Sequence, residues 1–305
     1  TAYTAYRETV RPDQRTSGKG KKMAAKVDLY QEVTNQIIAL IEEGNLSFDN
    51  GFLKGGMPCN AVTGREYSGV NLLVLCGIAN RFGYASNRWL TYKQAAAVGG
   101  NVKKGSKGVT VVYFDILKVE DDSTGEEKRI PMLKKFTVFN IEQCENLPEE
   151  IAAETAAATE EINIEAIEKM AANFGVFVKH GVMFETPCYI PSLDIIKMPT
   201  KGQFKTAENY YATLLHEMTH ATGHKSRLNR DFTGRFGTEA YAFEELIAEL
   251  GAAFMCAEFG LIGATIENHA FYLDNWLSIL KNDKKAIFTA ASQASKAADL
   301  LKSHR

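Results

Sequence analysis

The apolar residues in the first half of the chain recur in a pattern that predicts helices followed by strands. Over residues 28–43 they return every three or four positions, as one buried helix face requires. A second helix is predicted over residues 67–81, and a short third helix over residues 91–98, where two glycines end it. Runs of β-branched and aromatic residues then predict strands at residues 109–117 and 136–141. The first half is therefore predicted to be an α+β domain.

The second half is predicted to be mostly helical, with a small sheet. A helix is predicted over residues 164–173, strands over residues 176–179 and 188–198, and further helices around residues 210–222, 236–259, 267–280 and 284–302. Residues 148–163 are rich in Ala, Thr and Glu and show no apolar face, so they are the best linker candidate. The predicted units are a disordered basic tail at residues 1–25, a domain at residues 26–147, the linker, and a domain at residues 164–305.

A short motif in the second half predicts a metal site. His216 and His220 stand four residues apart in His-Glu-Met-Thr-His, within a stretch without Pro that Gly223 can end. Residues four apart share one face of a helix, so both imidazoles can ligate one Zn²⁺ ion. Glu217 is then placed to accept a proton from an attacking water rather than to ligate the metal. The plainer interpretation is two surface histidines on an amphipathic helix.

The third metal ligand is expected from a later helix. A histidine at the tenth motif position is excluded, because Ser226 stands there. The predicted helix at residues 236–259 carries Glu245 and Glu249, four residues apart on one face. We expect Glu245 to be the ligand and Glu249 to orient a metal-bound histidine through its other ring nitrogen. Glu244, about 100° round the helix, is the rival ligand.

The strand run at residues 189–196 precedes the motif closely. An edge strand beside a metal can bind an extended peptide through backbone hydrogen bonds. The alternative is a strand with a purely structural role.

The distribution of charge indicates a partner, although the net charge of −2 does not. Residues 51–118 carry nine Lys or Arg against two acids, with aromatic residues interleaved. Such a stretch suits single-stranded DNA, since cations attract phosphates and rings stack on bases. The candidates from this stretch are Arg88, Trp89, Lys93, Lys103, Lys104 and Lys107. The structural alternative for Trp89 is burial in the core.

The cysteines and the apolar runs indicate a cytoplasmic protein without a membrane partner. The five cysteines are odd in number and none forms C-x-x-C, which is typical of reduced thiols. No apolar run approaches the length of a membrane span, and the N-terminal residues lack the apolar core of a signal peptide. The sequence does not indicate the oligomeric state.

Longer signatures follow one another in order along the chain. They are Asn-Ala-Val-Thr-Gly-Arg at residues 60–65, Trp-Leu-Thr-Tyr-Lys-Gln at residues 89–94, Gly-Gly-Asn-Val-Lys-Lys-Gly-Ser-Lys-Gly at residues 99–108, Phe-Thr-Val-Phe-Asn at residues 136–140, and Leu-Leu-His-Glu-Met-Thr-His at residues 214–220. In these signatures the chain resembles the ArdC antirestriction proteins of conjugative plasmids and transposons, over about residues 28–260.

The resemblance implies an N-terminal domain that binds single-stranded DNA and is related to the N-terminal part of TraC-type primases. It adds Arg65 and Gln94 to the DNA-binding candidates. It also implies a C-terminal zincin-like metallopeptidase domain, in which His216, His220 and a glutamate of residues 244–249 hold Zn²⁺.

Two functional hypotheses follow from the motif and the resemblance. The first is a zinc peptidase tethered to single-stranded DNA, with Glu217 as the base and a protein substrate such as a restriction subunit or a DNA-bound protein. The second is a non-proteolytic protein that shields single-stranded DNA of a mobile element from restriction, and whose metal is structural.

Overall fold

The computed structural model describes residues 28–46, 56–120, 127–153, 162–232, 234, 238–261 and 269–305. The predicted basic tail at residues 1–25 lies outside these ranges, and so does half of the predicted linker, residues 154–161. The described residues form a mixed fold of helices and several small sheets, as the sequence predicts.

The three helices predicted for the first half are present. They are α1 (Leu29–Glu42), α2 (Val70–Phe82) and α3 (Tyr92–Ala97). Asp28 caps α1, because its side chain accepts hydrogen bonds from the backbone N–H groups of Tyr30 and Gln31. α2 begins at Val70 rather than at residue 67, since Gly69 has a positive φ of 60° that the helix cannot contain.

Six strands form two sheets in the first half; four of these strands are short and two are long. They are β1 (Cys59–Asn60), β2 (Arg88–Thr91), β3 (Asn101–Val102), β4 (Val109–Glu120), β5 (Glu127–Asn140) and β6 (Cys144–Glu145). The larger sheet has the order β1-β2-β5-β4, and the smaller sheet pairs β3 with β6. The two predicted strands therefore pair as an antiparallel ladder that is longer than the sequence pattern indicates. That pattern does not predict β2, which lies inside the larger sheet.

The second half contains the predicted small sheet and the predicted helices. Its elements are α4 (Glu149–Ala152), α5 (Ile164–Phe174), β7 (Phe177–His180), β8 (Cys188–Ile190), β9 (Ile195–Met198), α6 (Ala207–Thr222), α7 (Glu239–Glu258), α8 (His269–Asn282) and α9 (Ala286–Lys302). The sheet has the order β7-β9-β8, so β8 is an edge strand.

The beginning of the predicted linker is folded onto the first half. Its first residues form α4, and Ile151 packs against the small cluster of buried residues around Leu90. The guanidinium of Arg88 donates to the backbone carbonyl oxygens of Ile151 and Ala153, both at 3.0 Å. The expectation of a free linker from residue 148 is therefore corrected, because these carbonyl groups have a partner that composition does not reveal.

One hydrophobic core runs through both halves. It includes Val33 of α1, Trp89 of β2, Leu215 of α6 and Leu301 of α9. The last helix, α9, contacts α2 from the first half as well as α6 and α7 from the second. Among the described helices, none combines the length and the apolar character that a membrane crossing requires.

Candidate metal centre

The helix α6 carries both histidines of the motif into the middle of the protein. Thr206 caps this helix by accepting a hydrogen bond from the backbone N–H of Asn209. Every residue from 210 to 222 is buried, because α7, α9 and the β8–β9 pair contact α6 on its different sides. His216 and His220 are therefore interior residues, which contradicts the interpretation as two surface histidines.

His216, His220 and Glu245 bring their ligand atoms close together. The two Nε2 atoms lie 3.2 Å apart. Glu245 places Oε1 at 3.3 Å from Nε2 of His220 and Oε2 at 3.6 Å from Nε2 of His216. Two nitrogen ligands of one tetrahedral Zn²⁺, each about 2.0–2.1 Å from the ion, lie about 3.3 Å apart. The spacing of the three side chains therefore fits a divalent cation.

The pKa shifts of the clustered side chains also indicate that this position favours a positive charge. Burial alone would lower the pKa of His220, but its hydrogen bonds to Glu244 and Glu245 raise that pKa to about 10. The pKa of His216 is raised as well, since Glu249 and Glu245 outweigh its burial. Burial would raise the pKa of Glu245, and the two histidines hold it below its ordinary range. The surrounding carboxylates therefore favour a positive charge at this position, which a divalent cation would supply.

Glu244 points to the far side of His220 rather than into the ligand cluster. Its Oε1 lies 3.1 Å from Nδ1 of His220, the ring nitrogen that does not face Glu245. Arg230 donates to the same carboxylate, from Nη2 to Oε1 at 2.7 Å and from Nε to Oε2 at 3.0 Å. Glu244 is therefore placed to accept the Nδ1–H of His220 and to turn Nε2 toward the metal position. The sequence pattern carries no signal for this role of Glu244 or for Arg230.

Glu249 lies on the other side of the cluster, near His216. Its Oε1 is 3.8 Å from Nδ1 of His216, which is too long for a hydrogen bond. Within the described residues, Nδ1 of His216 has no hydrogen-bond partner. The orienting role of Glu249 stays a prediction.

Glu217 faces a cleft that opens beside the candidate metal position. The cavity has a volume of about 970 Å³, and its lining includes His216, Glu217, His220 and residues of β8 such as Tyr189. Burial raises the pKa of Glu217, and the two neighbouring histidines only partly oppose this effect. A carboxylate of raised pKa at the wall of a cleft is suited to accept a proton near neutral pH.

The edge strand β8 is tied to the motif helix by a small polar cluster. The hydroxyl of Tyr189 donates to Oδ1 of Asp194 at 2.7 Å, and Asp194 forms an ion pair with Arg227. Arg227 also donates from Nε to the backbone carbonyl oxygen of Ala221 in the last turn of α6, at 2.7 Å. These contacts fix the position of β8 relative to the cleft, and sequence reasoning does not predict them.

The candidates for DNA binding fall into interior and exposed residues. Trp89 is 0% exposed, so it cannot stack on a base, and this expectation is wrong because the side chain of Trp89 packs in the hydrophobic core. Arg88 donates to backbone carbonyl groups, and Gln94 forms the capping box of α3 with Thr91. The exposed candidates are Arg65, Lys93, Lys103, Lys104 and Lys107. The last three lie between β3 and β4 in a segment that we call the basic loop (residues 103–107).

Known proteins similar to this chain identify its family. Residues 27–139 match the N-terminal domain of anti-restriction factor ArdC, and residues 165–293 match a zincin-like metallopeptidase domain. The crystal structure of the antirestriction protein ArdC from the R388 plasmid, in metal-free form, shares 43% sequence identity and a TM-score of 0.77. That match covers 91% of this chain and 98% of the other. This chain belongs to the ArdC family.

Other ArdC-like proteins cover most of the chain as well. The Mn(II)-bound structure of R388 ArdC is 40% identical with a TM-score of 0.76, covering 91% of this chain and 98% of that one. Protein y4eC of Sinorhizobium fredii is 38% identical over 283 residues, which are 89% of this chain and 91% of y4eC. A DNA primase TraC of Escherichia coli is 36% identical over 298 residues, but the chain spans only 27% of that primase. The predicted ArdC resemblance and its zincin-like second domain are confirmed.

Proposed function

We propose that this ArdC-family protein is a zinc-dependent peptidase that holds single-stranded DNA through its first half. The observation that carries the peptidase is the convergence of His216, His220 and Glu245 on one position, with Glu217 beside it in the cleft. Two imidazoles and one carboxylate form a ligand set that zinc uses in catalytic sites. The exposed basic loop and the ArdC match of residues 27–139 support the DNA partner.

Each buried side chain of the centre has one task in this mechanism. Nε2 of His216, Nε2 of His220 and the carboxylate of Glu245 would hold the metal, while Glu244 keeps the ring of His220 oriented. Zn²⁺, when bound there, supplies Lewis-acid polarisation of the scissile carbonyl group. The carboxylate of Glu217 takes the proton of the attacking water and then delivers it to the leaving peptide nitrogen.

The peptide substrate is expected to lie along β8. This strand pairs with β9 on one side, and it lines the cleft that holds Glu217. An extended peptide can add to the other side of an edge strand through backbone hydrogen bonds. The contacts of Tyr189 and Asp194 with Arg227 would then set the distance between the bound peptide and Glu217.

The test compares wild type with Glu217→Gln and Glu165→Gln at equal zinc content. Gln keeps the size of the Glu217 side chain but cannot accept a proton, so zinc should be retained and cleavage should fall by about 10²–10⁴-fold. Glu165 is an exposed residue of α5, and its variant should cleave like wild type. Each protein is incubated with single-stranded DNA and a restriction subunit or its own chain, and fragments are identified by mass spectrometry. If Glu217→Gln cleaves at the same rate as wild type, the mechanism is wrong.

A non-proteolytic shield is the second candidate function. The observation that favours it is the exposure of Lys103, Lys104 and Lys107 on a loop that does not line the cleft. In that case Glu217→Gln protects DNA from restriction digestion as well as wild type, whereas replacing the three lysines by Gln abolishes protection. Absence of cleavage by wild type, with DNA binding intact, would select this function.

A further inference from the structure

Two aromatic rings form an open stack at the end of α2. The ring of Phe82 is stacked on that of Tyr84, with centroids 5.7 Å apart and an interplanar angle of 23°. Tyr84 in turn meets the buried ring of Trp89 edge-on, at 6.1 Å. Phe82 is the outer ring of this stack, and it is 57% exposed.

The backbone holds the two rings in place. Gly83 ends α2 in the left-handed conformation, with φ 67°, and this reverses the chain between the two aromatic residues. The backbone N–H of Tyr84 donates to the carbonyl oxygen of Ala79 at 2.9 Å, which closes the helix end. The stacked pair is therefore preformed and does not need to be ordered when a ligand binds.

The basic loop and the segment that follows this aromatic stack both contact Glu142. The segment that follows Tyr84 is bonded to Glu142, since the backbone N–H of Ser86 donates to Oε1 of Glu142 at 3.0 Å. Lys103 donates from Nζ to the backbone carbonyl oxygen of the same Glu142 at 2.8 Å. Glu142 thus links the loop that carries the rings to the loop that carries the cations. Its carboxylate is engaged by a backbone donor, which reduces its repulsion of an anionic ligand.

Gln143 forms hydrogen bonds with both ends of the basic loop. Gln143 accepts on its carbonyl oxygen from the backbone N–H of Lys103 at 2.8 Å, and its Nε2 donates to the backbone carbonyl oxygen of Lys107 at 3.0 Å. The backbone of the loop is therefore fixed at both ends, while the side chains of Lys103, Lys104 and Lys107 are exposed.

We propose that Phe82 is a stacking platform for an unpaired base of single-stranded DNA, whose phosphates lie along the basic loop. This inference rests on the proposed DNA-binding function and names its site. An open ring face takes a base of any sequence, and cations beside it match the negative backbone. Duplex DNA does not fit this arrangement, because the faces of its bases are already stacked on one another.

Binding of a fluorescent oligo-dT strand to the full protein tests the platform. Phe82→Ala should weaken binding about tenfold, as the loss of one base–ring stack does. Phe82→Tyr should bind like wild type, and Phe82→Leu, which keeps an apolar side chain but no ring, should bind like Phe82→Ala. The matched control is Phe177→Ala, since Phe177 is also an exposed ring, at 65%, but lies on β7 in the second half. Its affinity should not change.

The outcomes separate the site from the function on which it rests. Lys104→Gln and Lys107→Gln should each weaken binding and reduce the dependence of affinity on salt, because each lysine neutralises about one phosphate. If wild type binds the strand and Phe82→Ala binds equally well, the platform is wrong while DNA binding stands. If wild type does not bind the strand, the proposed DNA-binding function fails, and the platform falls with it. Equal competition by unlabelled duplex would also overturn the platform.

Discussion

Gly251 lies where α7 packs against α6, the helix that carries the proposed metal ligands His216 and His220. A Cβ atom at this position would lie 3.0 Å from Oγ1 of Thr219 and closer still to its Cγ2. Thr219 cannot readily turn away, because it is fully buried and its hydroxyl donates to the backbone carbonyl oxygen of Leu215 at 2.8 Å. Carbon atoms in contact need about 3.5 Å. We therefore predict that Gly251→Ala moves the two helices apart by about 1 Å.

This displacement should act on the metal centre, since its ligands lie on both helices. His216 and His220 are on α6, whereas Glu245 is on α7. Metal–ligand distances tolerate changes of about 0.2 Å, so metal affinity should fall by about 10–100-fold. Overpacking costs about 1–3 kcal/mol of unfolding free energy, and the helix propensity of Ala offsets about 1 kcal/mol of it. The net cost is therefore about 0–2 kcal/mol, and the melting temperature of the metal-free protein should fall by no more than about 3 °C.

The assay is competition for metal against a coloured chelator, together with thermal unfolding of the metal-free protein. Thr219→Ser is the matched relief variant, because it removes Cγ2 and keeps the hydroxyl that bonds to Leu215. The double variant Gly251→Ala/Thr219→Ser should regain most of the lost affinity. Unchanged affinity in Gly251→Ala, or a double variant as weak as the single one, would refute the packing argument.

Two further predictions concern charged side chains that are not themselves proposed metal ligands. Arg230→Met removes the guanidinium beside the buried carboxylate of Glu244 and leaves His220 as its remaining partner, so the unfolding free energy should fall by about 3 kcal/mol. Chemical denaturation measures this, and full stability would contradict it. Burial would raise the pKa of Glu258, but Lys302 and Arg305, at 2.6 and 2.7 Å, hold that pKa below its ordinary value. A lowered folded pKa stabilises the protein above about pH 4.5 and is lost as the pH falls further. Glu258→Gln should therefore be less stable than wild type by about 1 kcal/mol at pH 7, because the group is partly exposed. The difference should shrink below pH 4.5, and a constant difference would exclude the ion pair as its cause.

The sequence predicts those parts of the candidate metal centre that depend on the spacing of residues within one helix. The four-residue spacing of His216 and His220 fixes their common face on any helix, and the buried helix α6 has that face turned inward. The choice between Glu244 and Glu245 depends on the rotation of α7 about its own axis relative to α6. Contacts such as that between Gly251 and Thr219 set this rotation, and no sequence period encodes it.

The candidates for DNA binding show where composition misleads. Trp89 and Arg88 stand in a basic stretch, but both belong to β2, a strand of four residues that is too short for an alternating pattern to reveal. β1 joins it in parallel across a long separation in the sequence, which local patterns cannot indicate. Phe82 is the last residue of α2 and lies just beyond the helix predicted over residues 67–81, so the sequence pattern gives no indication of its exposure. Only the turn at Gly83 exposes it.

The C-terminal helices join the two family domains. α9 carries Ser295, whose hydroxyl accepts from the backbone N–H of Gly69 at 3.1 Å, at the start of α2 in the ArdC-type domain. Thr34 of α1 donates to the backbone carbonyl oxygen of Lys284 at 2.7 Å, just before α9. Because the same helix packs against α6 and α7, a hinge between the halves would expose shared apolar surface. DNA held on the first half would therefore act on the cleft by raising the local concentration of DNA-bound proteins there, rather than by opening the cleft.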